Sequence, residues 1–240
     1  MPRTGRFEQR PVQAFTLVEL LIVVAIIGLL IAILLPSLSH ARTMTLRALC
    51  AGNLHQIDLA MNMYLDSHNE TYPCASDPVS TDPFYWLWMG RGWRGLIMPQ
   101  LNTVVNKTNP SVLYCPADPA NPETYQATSY AYSMAFYHSP AQIDSATSTA
   151  DTYSNPKPSI AQRTVDVASP RAKIVLGEWT SNHQPLATDK GWWCWNGARN
   201  FLLADGQIRF LETGKIQPAR DNFPDANLTV GGIKGRDIDP

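Results

Sequence analysis

Few residues in this chain are placed to do chemistry, and the most conspicuous is Glu19. It lies four places after Phe15, inside Phe15–Leu35, FTLVELLIVVAIIGLLIAILL, an otherwise nearly unbroken run of Leu, Ile, Val and Ala. A carboxylate in hydrocarbon costs about 2.5–3.5 kcal/mol on insertion scales, so Glu19 marks a functional position by default. Glu178, beside Trp179 at a predicted strand end, is where a glycosidase would be sought. Glycoside hydrolysis needs two carboxylates at a defined separation, and one is too few. Asp205, Asp221 and Asp225 are candidate oxygens for calcium, but calcium takes about six to eight oxygens and no EF-hand spacing occurs. His40, His55, His68, His138 and His183 are scattered and form no i, i+4 ligand pair. No G-x-S-x-G elbow, Walker loop or G-x-G-x-x-G is present. On these residues the chain reads as having no catalytic site, no metal and no cofactor.

The cysteines and tryptophans leave alternatives open. Cys50, Cys74, Cys115 and Cys194 include no C-x-x-C pair, which argues against a zinc ribbon or a thioredoxin-like site. Cys74 with Cys115 is the favoured disulfide because each stands in a similar loop, YPCASDP and LYCPADP; buried thiols are the alternative. Trp86, Trp88 and Trp93 crowd one stretch, Phe84–Leu101. They suit a core, a membrane-edge belt or a sugar-stacking platform, and core is preferred because large aromatics dominate the cores of small domains.

The elements that must carry these residues follow from composition and period. The chain has 240 residues, 16% charged, with a net charge of −1, so there is no basic surplus for nucleic acid. Residues 1–14 hold Arg3, Arg6 and Arg10 against Glu8 and read as a basic leader that stays cytoplasmic. Residues 15–35 are long enough, at about 1.5 Å per residue, to span the ~30 Å bilayer core as a helix. Pro36 is expected to kink or restart that helix. Residues 36–68 continue it as an amphipathic segment, with Leu46, Leu49, Leu54, Ile57, Met61 and Tyr64 at helical spacing.

Residues 69–240 then form a translocated globular domain. Trp93–Leu101 is predicted as a short helix ending near Pro99. Val112–Cys115, Ser129–Tyr137, Val165–Val167 and Lys173–Trp179 read as strands. Asn200–Glu212 is the clearest hairpin, turning at Asp205-Gly206 through a tight turn with two positive φ angles. His138–Gln162 reads as a surface excursion, and the polar tail from Thr213 as lacking a core.

The run QAFTLVELLIVVAIIGLLIAILLP resembles the N-terminal signal of type IV prepilins and type II secretion pseudopilins. The resemblance implies cleavage between Ala14 and Phe15 by a peptidase on the cytoplasmic side, then N-methylation of Phe15. It makes Glu19 the family's glutamate, and puts Pro36 where a helix-bending proline often stands. The chain departs from the pattern in having Ala14 where the family prefers Gly. WNGARNFLLADG, Trp195 to Gly206, is similar to a His-X9-Asp-Gly group of prepilin-like proteins, with Trp195 replacing the His. NLHQIDLAMNMY after Cys50 and CPADP at Cys115 resemble that group too.

The expected fold is α+β: a long N-terminal helix, transmembrane then amphipathic, packed on a small, mainly antiparallel sheet. The expected function is structural, a pilin or pseudopilin subunit of a type II secretion-like or type IV pilus-like filament. The partners implied are the prepilin peptidase/methyltransferase, copies of the chain, other pilin-like subunits and the inner membrane. The domain would be periplasmic and the N-terminus cytoplasmic. The alternative is a membrane-anchored periplasmic module that binds carbohydrate through residues 84–93.

Overall fold

A computed structural model describes residues 16–74, 91–101, 111–119, 128–146, 158–184, 186–189 and 191–239. The expected cut at Ala14 and Phe15, and Trp86 and Trp88, lie outside the described residues. The chain divides into two compact units, the first ending at Met44 and the second beginning at Thr45.

The first unit contains the start of helix α1 (Leu17–Ser67). Every described side chain from Thr16 to Met44 is exposed. A helix that is apolar on all sides has no face for water, which fits burial in lipid or among other helices. It is the one helix among the described residues long and apolar enough to cross a membrane. Pro36 lies inside α1, which runs through it without ending. Proline has no N–H to give, so the carbonyl one turn earlier lacks its helical partner.

In the second unit α1 becomes amphipathic. Cys50, Leu54, Ile57, Met61 and Tyr64 are buried at alternating spacings of four and three residues, with Ala60 and Leu65 buried beside them. The stripe differs from the expected one at its start: Leu49 is 51% exposed and Cys50 takes the inward position. Helix α2 (Arg91–Leu101) contains Pro99 rather than ending at it.

The sheet is four-stranded and antiparallel, in the order β1 (Tyr130–Tyr132), β2 (Ile174–Glu178), β3 (Ala198–Leu203), β4 (Ile208–Glu212). Gly177 faces Phe201 across the β2–β3 pair, and a Cβ there would lie 2.2 Å from the Phe201 ring. Only glycine lets the two strands pair with that ring between them. One hydrophobic cluster joins the α1 stripe to Trp93, Ile97, Tyr132, Phe136 and Leu176. A second gathers Ile174, Trp179, Trp192, Phe201, Leu203 and Ile238. All six β3 residues are buried, as expected for a strand between two cores.

Several expected elements take other forms. Val112–Cys115 and Val165–Val167 are not strands; 3-10 turns occupy Ser111–Leu113 and Thr164–Asp166. Ser129–Tyr137 is strand only over β1, followed by a 3-10 turn at Met134–Phe136 capped by Ser133. Within His138–Gln162, His138 is buried and a short helix α3 (Pro140–Asp144) starts with a reciprocal cap between Ser139 and Gln142. The tail from Thr213 has a core after all: Ile216, Ala226 and Ile238 are buried in the second cluster, and Ile216 bridges Ile238. The polar composition concealed this because the apolar residues are spaced by turns and carry no period.

The hairpin is present with a different turn. Leu203 N–H bonds Gln207 O at 2.8 Å and Gly206 N–H bonds Leu203 O at 3.0 Å. Gly206 has φ +83°, whereas Asp205 is not in the positive-φ region. This is a three-residue loop with one left-handed residue rather than a two-residue turn with two. Ala204 N–H is held by Lys173 O at 2.9 Å, and Asp205 accepts from Gln207 N–H at 3.1 Å, which favours the longer loop.

Candidate functional site

At the described N-terminus, Thr16 and Glu19 cap α1 reciprocally. The Thr16 hydroxyl accepts from Glu19 N–H at 3.2 Å. One Glu19 carboxylate oxygen accepts from Thr16 N–H at 2.9 Å and from the Thr16 hydroxyl at 2.7 Å. The sequence T-L-V-E makes this possible, since cap and fourth residue meet one turn apart. A carboxylate on the first turn also faces the positive end of the helix dipole. Both partners are exposed, and Glu19 forms no ion pair among the described residues. The geometry leaves a negative charge, oriented by its own helix, at the edge of a long apolar surface.

The second unit places the other sequence-selected residues differently. Trp93 is only 2% exposed and stacks obliquely on Tyr132, with ring centroids 5.7 Å apart. It belongs to the core and offers no face to a sugar. Asp205 lies 3.9 Å from the Arg171 guanidinium, and Asp221 accepts from Phe223 N–H at 3.1 Å. Asp225 is buried, taking Trp193 Nε1–H at 2.9 Å and Asn227 N–H at 2.9 Å. Burial, then the nearby charge of Asp221, pushes its carboxyl up to about 7. These three aspartates form no common metal-sized group among the described residues.

The expected Cys74–Cys115 disulfide is not formed. Cys115 pairs with Cys50, with Cα atoms 5.1 Å apart, inside the usual range for a disulfide. The reason is tertiary. The inward stripe of α1 carries Cys50 onto the turn that holds Cys115, and Asn53 Nδ2–H bonds Tyr114 O at 3.0 Å to seat that turn. Tyr130 donates its hydroxyl to Cys50 O at 3.2 Å, tying the same helical turn to the sheet. Cys74 lies beyond the end of α1 and stays outside the disulfide.

Around that disulfide is a buried polar node the sequence did not reveal. Glu178, at the end of β2, has one carboxylate oxygen 2.8 Å from His183 Nε2 and 3.0 Å from Asn200 Nδ2. Its other oxygen accepts from Asn200 N–H at 2.9 Å, and its backbone carbonyl from Trp192 Nε1–H at 2.9 Å. Glu178, His183 and Asn200 are all at least nine-tenths buried. Glu178 Oε1 and His183 Nε2 share one hydrogen bond, with the ring nitrogen's role set by the histidine tautomer. Glu178 had stood out in the sequence only as a lone acid; His183 follows it by five residues across a loop with no period, and Asn200 is its neighbour on β3. The buried groups assembled here are an imidazole, an amide and a disulfide rather than a second carboxylate.

Two further buried charges brace the sheet. Arg199 on β3 reaches Asp189 at 2.7 Å, and also donates to Gly191 O at 2.9 Å and Trp179 O at 3.2 Å. Lys173 holds Asp237 at 3.1 Å and donates to the Thr229 hydroxyl at 2.6 Å, fastening the tail to the start of β2. Burial pulls the Lys173 ammonium below its ordinary range, and Asp237 opposes that.

Comparison with known proteins touches only the N-terminus. No curated protein and no solved structure matches the chain. Residues 9–35 match the family described as the prokaryotic N-terminal methylation motif. That span contains Glu19 and the apolar half of α1. The chain therefore carries the prepilin-type signature on a pilin-like α+β fold of one long N-terminal helix and a small antiparallel sheet.

Proposed function

We propose that this chain is a filament subunit, a pilin or pseudopilin of a type II secretion-like or type IV pilus-like machine. The observation that carries the reading is the methylation motif at residues 9–35, with Glu19 inside it on an apolar helix. In this reading residues 1–14 are the leader, 15–35 the inner-membrane anchor, 36–68 the continuing helix and 69–240 the periplasmic domain. The prepilin peptidase cuts between Ala14 and Phe15, and the methyltransferase modifies the new amine of Phe15. That amine remains cationic after methylation. In a stack of subunits it lies within reach of Glu19 on a neighbour, and pairing offsets the desolvation of the carboxylate. The charge that burdens a lone subunit then sets axial register in the assembly, while packing of the apolar helices supplies the bulk of the association energy.

Mass spectrometry of the mature N-terminus tests this directly. The expected species begins at N-methylated Phe15. Functional protein recovered with Met1 and the whole leader in place would replace this reading with that of a permanent anchor.

A further inference from the structure

The node beside the disulfide points to a second way of closing the same cysteines. Cys50, Cys115, Glu178 and His183 each offer a metal-ligand atom, all four atoms lie within 4.8 Å of one another, and all four residues are buried. They come from α1, the turn after Ser111–Leu113, the end of β2 and the loop that follows it. A disulfide needs neither a carboxylate nor an imidazole as neighbour, and burying both is costly. Yet Glu178 Oε1 and His183 Nε2 converge on Cys115 Sγ at 3.6 and 3.9 Å, and stand 2.8 Å from each other.

From this geometry we propose that the reduced chain binds one zinc-class divalent ion at Cys50, Cys115, Glu178 and His183, so that the two cysteines are closed either by the metal or by the disulfide. Bonds of about 2.0–2.3 Å to sulfur, nitrogen and oxygen put tetrahedral ligand atoms roughly 3.3–3.8 Å apart. The two edges at Cys115 Sγ already have nearly that length, and the Glu178–His183 edge opens by about half an ångström. Breaking the sulfur–sulfur bond lets the Cys50–Cys115 edge spread, and the two edges from Cys50 Sγ to Glu178 and His183 each lie within 4.8 Å. Two thiolates, an imidazole and a carboxylate form a donor set for zinc rather than for calcium or magnesium, which take oxygen. Asn200 N–H keeps its hold on the second Glu178 oxygen and so aims the first. The His183 tautomer with its ring proton on Nδ1 offers the Nε2 lone pair to the metal.

The exchange balances with a dithiol as the partner. One thiolate of the dithiol attacks a sulfur of the Cys50–Cys115 bond, and its second thiol resolves the mixed disulfide. The dithiol is thereby oxidised and two cysteine thiols are produced. Zinc then displaces one proton from each thiol to solvent. The reverse passes two electrons from the thiolates to an oxidised dithiol and releases the ion. Because both sulfurs are fully buried, the metal form belongs to chain that is reduced before or while the domain closes.

The test uses the full-length chain in detergent, refolded anaerobically with a phosphine reductant and Co(II) or Zn(II) as the only added metal. One ion per chain is expected in the reduced protein, with thiolate-to-cobalt charge transfer and tetrahedral d–d bands, and none in the oxidised protein. Cys50→Ser should abolish binding, and Glu178→Gln and His183→Gln should each weaken it tenfold or more. Cys74→Ser with Cys194→Ser should leave it intact. His183→Gln is the safeguard should Glu178→Gln fail to fold; disulfide formation on oxidation reports folding of every variant that keeps Cys50 and Cys115, and near-UV circular dichroism reports it for Cys50→Ser. Reduced, folded chain that takes up no metal overturns the proposal, as does binding that survives the Glu178 and His183 changes or depends on Cys74 and Cys194.

Discussion

Glu19, on the first turn of α1, has its carboxylate bonded to Thr16 alone among the described residues, whereas Glu178, at the end of β2, is enclosed by Asn200, His183 and the Cys50–Cys115 sulfurs. A carboxylate incurs a cost on leaving water, which Glu178 meets inside the fold and Glu19 would meet only when its helix is covered. In the second unit the chain answers that cost with its own donors, which makes Glu178 part of what holds the domain together. In the first unit it supplies only a local cap, so the remaining charge is directed outward. An acid satisfied by its own fold organises a domain; in the proposed reading, one bonded only to a local cap among the described residues is available to organise an assembly.

Removing each acid should therefore fail in a different way. The largest effect is expected for Glu19→Val: assembled filament falls by an order of magnitude or more in sheared fractions, while membrane insertion and the second unit stay intact. Filaments at the normal level would remove Glu19 from assembly. Glu178→Ala should leave membrane targeting alone and lower the unfolding free energy by about 3–5 kcal/mol, the usual result of stranding the partners of a buried charge. Urea titration in detergent measures it, and a loss below about 1 kcal/mol would mean the node is not closed as described.

Two glycines extend the contrast at smaller scale. Gly177→Ala drives a methyl into the Phe201 ring and should cost about 1–3 kcal/mol. Gly28→Ala meets nothing within 4 Å in the lone chain and should leave the subunit's stability unchanged or slightly raised. A thermal-shift comparison of the two variants reads both.

The mildest prediction concerns pH. Asp225 is held up to about 7 by burial and Asp221, while the unfolded chain releases that proton near about 3.9. Over that interval the native state holds a proton the unfolded state lacks, so stability is greatest at the acid end, declines as pH rises toward 7, and then levels off. Asp225→Asn should flatten this slope, seen as a smaller change of urea midpoint between pH 5 and pH 7.

Local pattern made parts of the molecule legible. The apolar run with one acid, the amphipathic second half of α1, β2 and the 200–212 hairpin each declare themselves within a dozen or two residues. Trp93 is buried in the core, as its large indole surface favours. The candidate node was not legible. Glu178 could be singled out, but nothing in the spacing connects it to His183, Asn200 or a cysteine on α1. The tail from Thr213 also misled, because its buried residues are held by turns and by Lys173–Asp237 rather than by a periodic element.

Two kinds of information thus divide this protein. Hydrophobic length, helical period, caps and turn residues act over a few positions, so the chain alone determined the long apolar helix, its inward stripe, its capped acid and the hairpin. Which cysteine meets Cys115, what encloses Glu178, and whether a polar tail is buried depend on surfaces brought together across tens of residues. Only the packed structure decided those, because a long-range contact is selected by the shape and donors of its neighbours, and leaves no period in the sequence to read.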